Sequence, residues 1–117
     1  MCGLLAYLST DADRVDQRIV DDVHQALHCL HHRGPDDTAV WSDSRAVLGF
    51  NRLSIIDLEG SPQPLPYAQD RYRILFNGEI YNYLELREEL QAAGAELHTH
   101  GDTETIVAGY HLWGEDV

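Results

Sequence analysis

The sequence predicts a mixed α+β fold, and three observations carry that prediction. The apolar residues Val15, Ile19, Val23, Leu27 and Leu30 recur at spacings of four, four, four and three, close to the 3.6-residue period of an amphipathic helix. Short apolar runs bounded by Ser, Asp, Gly and Pro alternate with turn formers on both sides of that helix, as strands do. Two later segments, after Asn82 and after Asp102, place helix-start residues ahead of apolar positions three and four apart.

Taken in order, Cys2-Gly3-Leu4-Leu5-Ala6-Tyr7-Leu8 is apolar and ends at Ser9, Thr10 and Asp11, which predicts a buried strand at the start of the chain. The helix from Val15 to Leu30 follows, with Asp11, Asp13 and Asp16 near its positive end. His31, His32 and Arg33 lie near its negative end, and Gly34-Pro35 stops it. Thr38 to Trp41 and Ala46 to Phe50 are expected as two strands, joined by a hairpin turn at Ser42-Asp43-Ser44. Leu58 to Gln69 contains Pro62, Pro64 and Pro66, which excludes a helix or a central strand and predicts a surface loop. Tyr72 to Phe76 is expected as a strand, Asn77-Gly78 as a hairpin turn and Glu79-Ile80-Tyr81 as the return. Asn82 would cap a second helix bearing Tyr83, Leu86 and Leu90, with Glu85 completing a capping box and Gly94 at its end. Glu96 to His100 is expected as a strand. Gly101-Asp102-Thr103-Glu104 would open a third helix, with Ile106, Val107, Tyr110 and Trp113 inward and Gly114 as its stop.

Composition narrows the function. The 117 residues carry 8 Lys plus Arg against 20 Asp plus Glu, a net charge of −12, which repels phosphate backbones and argues against nucleic-acid binding. No stretch approaches the roughly 18 consecutive apolar residues of a membrane span, and the first apolar run meets polar residues too early for a signal peptide. Cys2 and Cys29 allow one disulfide at most, so reduced thiols in a cytoplasm are expected.

The chemistry centres on position two. Once Met1 is removed, Cys2 carries a thiol and a free α-amine on one residue. An amine with a pKa of about 7.7–8.0 can take the thiol's proton near neutral pH. By position alone, Cys2 also fits an apolar residue opening a strand. Asn77-Gly78 alone fits a hairpin turn, Asp102 a helix cap and Arg52 a surface charge. His28 and His32 lie four apart, and His98 and His100 alternate, but the first pair lacks the Glu of a His-Glu-x-x-His site. No metal is expected, and Cys29 is expected in the core.

Five motifs in order carry a family resemblance. They are Cys2-Gly3, His32-Arg33-Gly34-Pro35-Asp36, Arg52-Leu53-Ser54-Ile55-Ile56-Asp57, Asn77-Gly78-Glu79-Ile80-Tyr81-Asn82 and Gly101-Asp102-Thr103-Glu104. Together they resemble the glutaminase domain of glutamine-hydrolysing asparagine synthetases, a class II glutamine amidotransferase domain of the N-terminal-nucleophile hydrolase fold. The resemblance implies a four-layer αββα sandwich of which this chain is roughly the first half. Residues 2–117 would be an incomplete amidotransferase domain, with the ATP-dependent synthetase domain lying outside the chain.

The resemblance also implies roles. Cys2 would attack the side-chain amide carbon of L-glutamine, release ammonia and be freed by water to give glutamate. The Asn77 side chain and the Gly78 N–H would form the oxyanion hole. Arg52 would hold the α-carboxylate, for which its planar fork suits it. Asp102 would bind the α-ammonium, with Glu79 beside the same pocket. Leu53, Ser54, Ile55 and Ile56 would line the glutamine side chain. The His32 to Asp36 run is expected to be a structural turn near the nucleophile, with Arg33 and Asp36 as a buried pair. No cofactor is implied in this segment; ATP, magnesium and L-aspartate would belong to the C-terminal synthetase domain. No nucleic acid or membrane is an expected partner, and a homodimer is left open. The alternatives are an amidotransferase of the same type with a different acceptor, an inactive truncated homologue, and a non-catalytic module on the same fold.

Overall fold

The computed structural model describes residues 2–10, 14–53 and 62–117. Helix α1 (Gln17–Cys29) starts where Asp16 Oδ1 accepts a hydrogen bond from the Ile19 N–H at 3.1 Å. A 3-10 turn (His31–Arg33) extends it and Gly34 ends it. Asp11 and Asp13, also expected at the start of α1, lie outside the described residues.

Strands β1 (Gly3–Leu8), β2 (Asp37–Ser42) and β3 (Ala46–Arg52) form an antiparallel sheet in the order β1-β3-β2. The turn between β2 and β3 closes as the expected hairpin, because Asp43 Oδ1 accepts from the N–H groups of Arg45 at 2.7 Å and Ala46 at 2.8 Å. In this register Leu5 and Val40 stand opposite Gly49. That face packs on α1, and its core is Val23, Leu27 and Val47. Gly49 leaves room for the helix, since a Cβ there would lie 2.6 Å from Leu27 Cδ1.

The strand expected to be buried at the start of the chain forms, but it lies at the sheet edge. Leu4, Tyr7 and Leu8 are exposed, the last by 67%. Cys29, expected in the core, is also exposed on α1. Residues 1–57 and 58–117 make two compact units.

In the second unit, β4 (Leu65–Tyr67) pairs antiparallel with β5 (Tyr72–Ile74). This corrects the surface loop expected there. In a two-stranded sheet every strand is an edge, so Pro66 fits with its missing N–H while Leu65 and Tyr67 on either side of it are buried. Asn77-Gly78 makes no hairpin, because β5 is already paired to β4 and residues 79–81 form no strand. Residues 96–100 form no strand either; the N–H groups of His98 and Thr99 bond to the Glu104 carboxylate instead.

Helix α2 (Tyr83–Ala92) follows Asn82, whose side chain makes no capping bond, so the expected capping box does not form. Its far end is a Schellman closure: Gly94, at φ 96°, donates to the Gln91 carbonyl and Ala95 donates to that of Leu90. Helix α3 (Thr103–Trp113) buries Glu104, Val107 and Ala108, whereas Tyr110 and Trp113, expected inward, are exposed. The core here is Tyr67, Leu90, Val107 and Ala108. No helix of the described residues is long and apolar enough to cross a membrane.

Candidate active site

The predicted residues fall into two groups, one in each unit. In the first, the pairing of Gly3 with Asn51 places Cys2 beside the end of β3. Cys2 is half-buried, and its Sγ accepts a hydrogen bond from the Leu53 N–H at 3.4 Å. Arg33 Nε donates to the Cys2 carbonyl at 3.1 Å. Backbone and sulfur of this residue are thus held from two sides.

Arg52 closes β3 and is half-buried, and its carbonyl accepts from the Asp36 N–H at 3.0 Å. Asn51, fully buried, ties this strand end to the helix. Its Nδ2 donates to the Leu27 carbonyl at 2.7 Å and its Oδ1 accepts from Thr38 Oγ1 at 2.8 Å. Gly34 lies so close to the same strand that a Cβ would fall on the Asn51 carbonyl. The His32 to Asp36 run is therefore the packing turn expected. Asp36 is exposed rather than buried, however, and Arg33 Nε turns to the Cys2 carbonyl. Ser54, Ile55 and Ile56, expected along the substrate side chain, lie outside the described residues.

In the second unit, Asn77, Gly78 and Glu79 form an exposed segment held at both ends. On one side the Gln63 amide pairs with the Phe76 backbone, Nε2 donating to its carbonyl at 3.0 Å and Oε1 accepting from its N–H at 2.6 Å. On the other, Asp102 Oδ2 accepts from the Ile80 N–H at 2.9 Å. Gly78 owes its place to close approach, since a Cβ would lie 2.9 Å from Phe76 Cζ. Its φ is not among the positive ones.

Asp102 stands at the cap position of α3 but in a helical conformation, φ −80° and ψ −30°, and its side chain caps nothing. The carboxylate is turned to the segment after Glu79. Glu104 is fully buried and accepts from the His98 N–H at 2.8 Å, the Thr99 N–H at 2.8 Å and Thr99 Oγ1 at 2.9 Å. Arg87 of α2 donates to the carbonyls of Thr99 at 2.5 Å and Gly101 at 3.3 Å, with Nη1 3.7 Å from Glu104 Oε2.

The sequence does not single out Gln63 or Glu104 as site-shaping residues, and it pairs Arg33 with Asp36 rather than with the Cys2 carbonyl. Gln63 sits in a proline-rich run that hides its pairing, whereas Arg33 and Glu104 lie inside motifs that could have flagged them. Burial pushes the Tyr67 phenol above its ordinary range, and the nearby carboxylates of Glu104 and Glu96 add to this. A cavity of about 300 Å³, lined by Tyr67, Gln69, Glu96, His98, His111 and Leu112 among others, includes none of the predicted residues. Among the described residues, no group of three or more His, Cys, Asp or Glu side chains is placed to hold a metal ion.

Comparison with known proteins places these features in a family context. Residues 1–117 match the model described as Glutamine amidotransferase domain. The chain is 48% identical to a Mycobacterium tuberculosis protein provisionally named glutamine-hydrolyzing asparagine synthetase, over all of this chain and 20% of that protein. It is 43% identical to glutamine-hydrolyzing asparagine synthetase 1 of Bacillus subtilis, over 99% of this chain and 18% of the relative. For the Brassica oleracea glutamine-hydrolyzing asparagine synthetase the identity is 35%, over 99% of this chain and 19% of the relative. The chain thus spans about a fifth of the length of the curated relatives it matches.

Proposed function

This chain belongs to the glutamine amidotransferase domain family, and from that premise we propose that it supplies ammonia by hydrolysing L-glutamine at Cys2, for the synthesis of L-asparagine by a longer polypeptide. The observation that carries this reading is the placement of Cys2: its sulfur bonds to the Leu53 N–H, and Arg52 immediately precedes Leu53.

The chemistry follows from the residues. With Met1 removed, the Cys2 α-amine accepts the thiol proton and Sγ attacks the glutamine side-chain amide carbon. The C–N bond breaks, the leaving nitrogen takes that proton and departs as ammonia, and a thioester remains. Water adds to the thioester, its proton returns to sulfur and glutamate leaves. In both steps negative charge develops on the amide oxygen. The neutral donors Asn77 Nδ2 and Gly78 N–H suit that charge, and loss of one such donor typically costs about 10²–10³ in kcat. The family resemblance assigns Arg52 to the α-carboxylate of glutamine, Asp102 to its α-ammonium, and Leu53, Ser54, Ile55, Ile56 and Glu79 to substrate binding.

The sheet packed on α1 along one face is consistent with a four-layer sandwich of the N-terminal-nucleophile type. Aspartate is the favoured acceptor, because the three relatives compared all carry the asparagine synthetase name. ATP and magnesium would serve that acceptor step outside this chain. Cys2 and Cys29 form no disulfide, which suits a reducing cytoplasm.

The test is glutamate release from glutamine by the full-length native polypeptide. Wild type should form glutamate and Cys2→Ala should form none, whereas equal rates would remove Cys2 from the mechanism.

A further inference from the structure

We propose that Glu104 and Arg87 are positioning residues for glutamine, acting through Asp102; this rests on the reading of Asp102 as the α-ammonium ligand. An Asp at the start of a helix ordinarily adopts an extended conformation and caps its own first turn. Asp102 does neither. It is helical, its side chain makes no cap bond, and its Oδ2 accepts from the Ile80 N–H, 22 positions back along the chain. Something must hold residues 98–101 so that Asp102 enters α3 in this conformation.

The holding groups are visible. The Glu104 carboxylate takes three hydrogen bonds from His98 and Thr99, all between 2.8 and 2.9 Å. The Arg87 guanidinium takes the carbonyls of Thr99 and Gly101 from the opposite side. Three of the four residues before Asp102, namely His98, Thr99 and Gly101, are thereby bound through donors and acceptors together, by one carboxylate and one guanidinium that face each other. Glu104 is 1% exposed, and its charge is matched by hydrogen bonds and by Arg87, as a buried carboxylate requires.

The device also joins two elements of the site. Arg87 belongs to α2, which directly follows the Asn77–Asn82 segment, and Glu104 belongs to the first turn of α3, which directly follows Asp102. The Ile80–Asp102 bond closes the circuit between them. With it closed, Asp102 Oδ2 is engaged by the Ile80 N–H, which fixes the direction in which the carboxylate meets an ammonium group.

The test uses the full-length native polypeptide and reads KM for glutamine, kcat, and the rate at which a diazo-ketone glutamine analogue labels Cys2. Glu104→Gln replaces one acceptor oxygen by an amide donor that faces an N–H. A shift of about 1 Å in a positioning group can cost up to about 10²-fold, so KM should rise, and labelling slow, by at least about tenfold. In an Asp102→Asn background the same substitution should change either quantity less than about twofold, because the group it acts through is already gone. A purely structural role would lower Tm, leave KM unchanged well below the transition, and give equal effects in both backgrounds. That result overturns the proposal. If Glu104→Gln does not fold, Arg87→Lys keeps the charge, loses the fork and carries the same expectations. Wild type that takes no label at Cys2 defeats the glutaminase reading itself. Labelled wild type matched by Glu104→Gln defeats only the positioning role.

Discussion

Gly34 has a φ of −151° and a ψ of 79°, outside the left-handed region, so Gly34→Ala meets no positive-φ penalty. Its effect is contact alone. The added Cβ would fall on the Asn51 carbonyl and lie 2.7 Å from the Arg52 carbonyl carbon. Both belong to the central strand, which is paired to β1 on one side and β2 on the other, and such backbone cannot swing aside as a side-chain tip can. The turn must move instead, and the Asp36 N–H bond to the Arg52 carbonyl at 3.0 Å is lost with it. Overpacking costs about 1–3 kcal/mol and a lost hydrogen bond about 0.5–1.5 kcal/mol, so the expected destabilisation is roughly 2–4 kcal/mol. The nucleophile feels the same shift, because Arg33 precedes Gly34 and holds the Cys2 carbonyl, while Leu53 follows Arg52 and holds the Cys2 sulfur. In the full-length polypeptide, thermal unfolding should show a Tm lower by several degrees. An intact-mass time course should show labelling of Cys2 by the glutamine analogue slowed at least about tenfold. An alanine variant with the wild-type Tm and labelling rate would refute the packing of this turn against β3.

Two further outcomes are expected. Leu27→Ala removes the fully buried side chain that fills the space over Gly49 and should destabilise by about 2–5 kcal/mol in chemical denaturation, with Gly49→Ala also destabilising because its Cβ would meet Leu27. The raised Tyr67 phenol binds its proton more tightly when folded. Its contribution to stability is whole below the unfolded value of about 10 and is lost as pH rises through the folded one. Denaturation midpoints followed into the alkaline range should therefore fall less steeply for Tyr67→Phe than for wild type.

Where local rules act alone, the chain was legible. The spacing from Val15 to Leu30 foretold α1, and Ser42-Asp43-Ser44 foretold the hairpin between β2 and β3. The errors share a physical cause: a distant partner outbid a local pattern. Asn77-Gly78 is the strongest short hairpin signal in the chain, but β5 pairs with β4 and Asp102 takes the Ile80 N–H. Residues 96–100 alternate as a strand does, yet a buried carboxylate six positions on satisfies their N–H groups. Tyr110 and Trp113 fit a helical stripe, but the small Ala108 and the bonded Glu104 face the core instead. For the candidate site, the motifs named Cys2, Arg52, Asn77 and Asp102. Arg33 and Glu104 lie within those motifs, but what they hold, like the pairing of Gln63, emerges only from the folded arrangement.

The most direct measurement of the central claim is the intact mass of the full-length polypeptide after incubation with a diazo-ketone glutamine analogue. The account predicts the loss of one methionine and the gain of one adduct, which maps to Cys2 and vanishes in Cys2→Ala. A retained Met1 with no adduct would leave the sulfur without its α-amine base and would contradict glutamine hydrolysis at this residue.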